Sequence, residues 1–311
     1  VAYCFVTRTL PGLALERLSA KHKVEVWPEP APISHERLLD AAEACEGLIS
    51  TVNDSLDRAF FKRCKNLRAV ANYAVGADNI DIDAATDRGI AVGNTPDVLT
   101  EATADIALAL ILSCARRLWE ARDCVLRGDW QSWDPQGLLG YDLYRARIGI
   151  IGFGRIGQAI ARRALGFSMQ IQWCTQSKGS TLDEILTDSD FVVVACPLTD
   201  ATHHLIDERA LSMMKPTSIL VNIARGPIVS MDALRGALNR GQIAGAGLDV
   251  TDPEPLSRDD PLLKDSRVCV LPHIGSATHA TRERMADMCV DNLLSALDGK
   301  RMPYLVNPQI Y

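Results

Sequence analysis

The chain has 311 residues, 47% of them hydrophobic, with 33 basic against 39 acidic residues and a net charge of −6. That length buries a sizeable core and sits where one core tends to divide, so two domains are expected; with no basic block to track a phosphate backbone, nucleic acid is not an expected partner. Nine scattered cysteines without a CxxC pair point to a reducing, cytoplasmic compartment in which most thiols pack as small hydrophobes, and no metal site is expected.

The opening VAYCFVTR reads as a β-strand and not as a signal peptide. To about Asn94, apolar runs (AYCFVT, VEVW, GLIST, LRAVANYA, GIAVGN) alternate with helical patterns such as PGLALERLSAKH and SHERLLDAAEAC, with WPEPAP as a loop. This alternation marks βαβ units on a parallel sheet. A long alanine-rich helix is predicted next, from about Thr100 to Val125, on the helical spacing of Ile106, Ala107, Leu110 and Ile111. The strongly apolar run inside it, Ile106 to Leu112, is too short to cross a bilayer, so no membrane partner is expected. From Arg147 a second series follows: IGIIG, QIQWC, FVVVAC, SILVNI, AGAGLDV and RVCVLPH. Runs so continuously apolar suit strands covered on both faces. A closing helix from about Ala277 to Leu297 is expected to return to the first domain, and the terminal NPQIY carries no peroxisomal tripeptide.

Between a strand and a helix of the second series stand Gly152, Gly154 and Gly157, spaced GxGxxG. The first glycine allows a tight turn, the second lets the backbone approach a pyrophosphate, and the third lets helix and strand pack closely. Amides at the helix start then face the phosphates. Three later stretches, NIARGP, GLDVTDPEP and LPHIGSAT, follow predicted strands and put Arg225, Glu254 and His273 on the ligand-binding edge of the sheet. A protonated histidine can give its proton to a carbonyl as a hydride arrives, with a carboxylate on its other nitrogen to orient it. This makes His273 the acid and Glu254 its partner. Arg225 suits a forked grip on the carboxylate and carbonyl of a 2-oxo acid. Taken singly, the three could be a loop arginine, a solvated acid and a satisfied turn histidine; their joint placement favours the site.

With YAVGADNID (73–81), GNTPDVLTEATADIALAL (93–110), GIIGFGRIGQAIARR (149–163) and the three strand-end motifs in order, the chain resembles the D-isomer-specific 2-hydroxyacid dehydrogenase family over nearly its whole length. TPDVLTEATAD, WQSW, GLDVTDPEPL and LPHIGSATHATR resemble its glyoxylate- and hydroxypyruvate-reducing branch. The resemblance implies an α/β fold of two Rossmann-like or flavodoxin-like domains with parallel sheets and a cleft between them. Residues 1–98 plus 283–311 would form a discontinuous substrate-binding domain and 99–282 the dinucleotide-binding Rossmann domain. It implies reduction of glyoxylate to glycolate and hydroxypyruvate to D-glycerate in a homodimer. The backbone at Val75 and Gly76 would bind the substrate carboxylate, Ser276 would lie beside His273, and Trp133 would reach into the pocket of the partner subunit, unless it is an ordinary interface aromatic. The cofactor would meet Thr103, Gly152, Gly154, Arg155, Ile156, Gly157, Cys196, Pro197, Ile223, His273 and Gly275. Asp249 would face the nicotinamide amide, unless it merely caps a strand end.

At the end of the strand after the glycine turn, an NAD-specific site carries an acid that binds the ribose hydroxyls and repels a 2′-phosphate. Here Thr175, Gln176, Ser177 and Lys178 stand instead, supplying donors and positive charge. NADPH is therefore the expected cofactor, with NADH a weaker alternative; the bland reading is a polar loop that lost its acid. The link from Thr175 to Asp190 is shorter than the family's usual one by roughly a helical turn and a short strand. Rival readings are another family enzyme, such as a phosphoglycerate dehydrogenase, or a nucleotide-sensing corepressor on the same fold.

Overall fold

The computed structural model describes residues 1–311 and divides into two compact units, Val1–Leu99 with Ala277–Tyr311, and Thr100–Ser276. The first opens with β1 (Tyr3–Val6), α1 (Ala14–Ser19), β2 (Lys23–Val26), α2 (His35–Glu43), β3 (Gly47–Ser50), α3 (Arg58–Arg63), β4 (Ala69–Asn72), α4 (Ile82–Asp87) and β5 (Ala91–Gly93). Ser34, Asp57 and Asp81 start α2, α3 and α4 by accepting the backbone amide three residues on, which satisfies a donor the helix itself cannot. The five strands are parallel in the order β2-β1-β3-β4-β5, the doubly wound flavodoxin-like order. Ser50 pairs with Asn72 across β3 and β4, so polar strand ends gather at one edge. One face buries Phe5, Phe60 and Phe61, each contributing on the order of 2–3 kcal/mol.

The second unit contains α5 (Thr100–Ala115), α6 (Leu118–Arg127), β6 (Arg147–Ile151), α7 (Arg155–Gly166), β7 (Gln170–Cys174), α8 (Leu182–Asp188), β8 (Phe191–Val194), α9 (Glu208–Met213), β9 (Ile219–Asn222), α10 (Met231–Asn239), β10 (Gly245–Leu248) and β11 (Val268–Val270). Its six parallel strands run β11-β10-β9-β8-β6-β7. The chain leaves β6 toward β7 on one side and returns to β8 on the other. That reversal opens a crevice outside the carboxyl ends of β6 and β8, where open sheets of this kind take ligands. FVVV of β8 and ILVN of β9 are buried throughout between two apolar layers, as expected of strands covered on both faces.

The single helix predicted from Thr100 to Val125 is two. Arg117 adopts a left-handed conformation, φ 53° and ψ 41°, at a cost of about 1 kcal/mol. Its guanidinium offsets this by donating to Glu120 at 2.9 and 2.7 Å and to the Leu139 carbonyl at 3.2 Å. No glycine or proline marks the break, so apolar spacing runs straight through it. The chain then enters α11 (His279–Leu297), whose Ala286, Cys289, Val290, Leu293 and Leu297 join Cys4, Val6 and Ala69 in the second core of the first unit. No helix is long and apolar enough to cross a membrane.

Candidate active site

The glycine turn joins β6 to α7 at the crevice. Gly152 has φ +97°, and a Cβ there would stand 2.5 Å from the Cys196 amide nitrogen, so β6 and β8 approach there only because the side chain is absent. Gly157 lies against the Gly152 carbonyl. Gly154 is different: at the N-cap of α7 it has no side chain to cap the helix, and a Cβ there would meet nothing within 4 Å. Open space in front of a helix start fits a pyrophosphate. Arg155 and Ile156 form the first turn of α7, while half-buried Cys196 and exposed Pro197 follow β8 across the crevice.

Beyond β7 the short link opens with a tight turn before α8. The Thr175 amide donates to the Lys178 carbonyl at 2.8 Å, and the Lys178 amide donates to Thr175 Oγ1 at 3.0 Å. The Thr175 hydroxyl therefore closes the turn, while the side chains of Gln176, Ser177 and Lys178 remain exposed. Trp173 stacks on Phe153 of the glycine loop, with ring centroids 4.4 Å apart. This fixes the Lys178 turn beside the glycine loop.

At the ends of β9, β10 and β11 stand the other residues. Nδ1 of His273 lies 2.6 Å from Glu254 Oε1, with the two side chains 29% and 33% exposed, so the pair is accessible yet mutually oriented. His273 adopts φ 53°, an uncommon conformation for a non-glycine residue that is held here by its surroundings. Asp249, 1% exposed, does the holding. Its carbonyl accepts from the His273 amide at 3.0 Å, and its carboxylate accepts from the amides of Ile274 and Gly275, both at 2.8 Å. Burial pushes the Asp249 carboxyl above its ordinary value, against the opposing pull of those amides. Gly275 leaves room for Asp249 Oδ2 and Thr103, which a Cβ would meet at 3.0 and 3.3 Å, so Thr103, Asp249 and Gly275 form one packed group. Ile223 is buried and Ser276 half-buried. Arg225 follows β9 with its Nη1 on the Ala224 carbonyl at 2.9 Å, while Asn222 Nδ2 donates to the Arg225 carbonyl at 2.8 Å.

Val75 and Gly76 belong to the first unit, in the half-buried loop after β4. Their carbonyls accept from Asn94 Nδ2 at 2.7 Å and Asn72 Nδ2 at 2.9 Å. The sequence motifs assign neither asparagine a role; two side-chain amides at the ends of predicted strands are the signal available there. Trp133, between α6 and β6, is 83% exposed in the single chain.

Residues 108–275 match the family model for the NAD-binding domain of D-isomer-specific 2-hydroxyacid dehydrogenases. A glyoxylate reductase of Thermococcus gammatolerans is 47% identical over 321 aligned positions, covering 98% of this chain and 96% of that protein. A crystal structure of a Thermus thermophilus protein superposes with a TM-score of 0.94 at 45% identity, over 98% of this chain and 99% of that one. An NADPH-dependent glyoxylate/hydroxypyruvate reductase of Sinorhizobium meliloti, in complex with NADP and malonate, superposes with a TM-score of 0.84 at 31% identity, over 99% and 97%. Glycine turn, strand-end histidine and full-length similarity together make the chain a member of the D-isomer-specific 2-hydroxyacid dehydrogenase family.

Proposed function

We propose that the protein reduces glyoxylate to glycolate and hydroxypyruvate to D-glycerate, with NADPH preferred over NADH, as a cytoplasmic homodimer. The observation that carries this is the 2.6 Å pairing of His273 with Glu254 on the edge that also bears the glycine turn. The unit Thr100–Ser276, within the expected 99–282, serves as the dinucleotide domain, and Val1–Leu99 with Ala277–Tyr311 binds the substrate. When bound, the reduced nicotinamide supplies a hydride to C2 of the 2-oxo acid. His273 gives the balancing proton to the carbonyl oxygen through Nε2, because Nδ1 faces Glu254, whose carboxylate fixes the ring. Arg225 grips the substrate carboxylate and carbonyl through a planar fork, and backbone amides at Val75 and Gly76 hold the carboxylate. Ser276 flanks His273, Asp249 faces the nicotinamide carboxamide, and Trp133 contacts the hydroxymethyl end of hydroxypyruvate in the pocket of the partner subunit.

NADPH preference is supported by the exposed Gln176, Ser177 and Lys178 on a turn that carries no acid. The test is kcat/KM for glyoxylate, hydroxypyruvate and 3-phosphohydroxypyruvate with each reduced cofactor. Glyoxylate and hydroxypyruvate should lead, with NADPH ahead of NADH. Dominance of the phosphorylated substrate, or equal use of NADH, would overturn the corresponding part.

A further inference from the structure

We propose that Asn72 and Asn94 are positioning residues that aim a run of three backbone amides, those of Val75, Gly76 and Ala77, at the carboxylate of the substrate. The inference deepens the proposed role of the Val75–Gly76 backbone and rests on it. Three consecutive carbonyls of this loop are tied down. Ala74 accepts from the Thr95 amide at 2.8 Å, Val75 from Asn94 Nδ2 at 2.7 Å, and Gly76 from Asn72 Nδ2 at 2.9 Å. The chain's cis peptides lie elsewhere, at Asp252–Pro253 and Glu254–Pro255. In a planar trans peptide the N–H points opposite to the carbonyl of the same unit, so each anchored carbonyl directs the next amide away from the strand ends. None of the three amides meets an acceptor in the chain. Successive N–H groups pointing one way form an anion-binding concavity, here half-buried.

The donors are themselves fixed. Asn72 is fully buried; its Oδ1 accepts from Ser50 Oγ at 3.1 Å, and its Nδ2 also meets Asn79 Oδ1 at 3.0 Å. Asn79 in turn donates to the carbonyls of Thr51 and Asp54 at 3.0 and 2.9 Å. Asn94 is held through its backbone, donating to the Tyr304 carbonyl at 3.1 Å and accepting from Asn292 Nδ2 at 3.1 Å. Dipoles set in place before the ligand arrives need not reorganise to receive its charge.

The test compares Asn94→Ala, Asn94→Asp and Asn94→Ser with the wild type, with Asn72→Ser as a second site. Readouts are KM and kcat for glyoxylate, Ki for oxalate (a carboxylate probe with no reducible carbonyl), NADPH affinity and the thermal midpoint. Loss of one orienting hydrogen bond should raise KM and Ki together about tenfold in Asn94→Ala, more in Asn94→Asp and less in Asn94→Ser. Turnover at saturation and NADPH affinity should move less than threefold. Folded Asn94 variants with KM and Ki within twofold of wild type overturn the positioning role. Gly76→Pro deletes an amide of the run itself. Raised KM and Ki there, with normal values in the asparagine variants, remove the positioning role alone. Normal values in a folded Gly76→Pro, or oxalate that does not compete with glyoxylate in the wild type, remove the carboxylate reading as well.

Discussion

Alanine at Gly152 and alanine at Gly154 should fail in opposite ways, although the two glycines are two residues apart. At Gly152 the new Cβ would meet Cys196 N at 2.5 Å and Cys196 Cα at 2.6 Å, against an ordinary contact of 3.4 Å or more. The obstacles are backbone, so the ends of β6 and β8 must part by nearly an ångström. Added to the strain of φ +97°, about 1 kcal/mol, the overpacking brings the loss of stability to about 2–4 kcal/mol. At Gly154 the backbone is already extended, φ −73° and ψ −162°, and the methyl group enters open space, so stability should stay within about 0.5 kcal/mol of wild type. The same methyl group occupies the approach of a pyrophosphate to the start of α7, and NADPH binding should weaken roughly 10- to 100-fold, or about 1.4–2.8 kcal/mol. Urea unfolding followed by tryptophan fluorescence gives the first quantity, and titration of nicotinamide fluorescence the second. A stable Gly154→Ala protein that binds NADPH within twofold of wild type would refute the placement of the pyrophosphate.

His273→Gln should retain cofactor affinity but lose turnover by at least 100-fold, the usual worth of a general acid; steady-state rates near wild type would end that assignment. Lys178→Asp should invert the cofactor ratio, lowering kcat/KM with NADPH about tenfold while sparing NADH, and a parallel fall with both would point to damage to the turn. In the second unit, Arg235 beside Asp260 holds its carboxyl below the usual carboxylate range, with Nη2 at 2.5 Å from Oδ2. The folded pKa lies below the unfolded one, so this stabilisation is complete above the ordinary value near 4 and fades as pH falls through the depressed one. Asp260→Asn should cost about 1–3 kcal/mol at neutral pH and flatten the acid limb of stability, as read from urea midpoints between pH 3 and 7.

Much of the second unit was legible because its signals are local. Gly152, Gly154 and Gly157 sit between one strand and the next helix, and Arg225, Glu254 and His273 each follow a run of apolar residues in a chain whose strands are adjacent in the sheet. Adjacent strand ends are what bring His273 to Glu254. Features set by contacts between distant segments were hidden. Arg117 breaks a helix through its bonds to Glu120 and Leu139, and nothing in the residue type announces it. Asn72 and Asn94 read as ordinary polar strand ends until the loop between them folds over their amides. Thr175 reads in the sequence as a donor toward the ribose end of the cofactor, and the bond from the Lys178 amide to its hydroxyl, which closes the turn, is set only by the folded link.

The first unit is assembled from both ends of the chain, with α11 supplying Ala286, Cys289, Val290, Leu293 and Leu297 to a core begun by Cys4 and Val6. During synthesis, residues 1–99 emerge with one face of their sheet covered only in part, by Leu10, Ala14 and Leu18, and must wait for the whole intervening unit to be translated before α11 can cover the rest. The intervening unit has all its strands by Val270 and can condense first. At roughly 5–20 residues per second, translation leaves that apolar face exposed for about 10–40 s. Aggregation at this stage, and any need for a chaperone, should therefore track the first sheet and not the dinucleotide-binding one, and a circular permutant that places α11 ahead of β1 should be synthesised with less loss to aggregation.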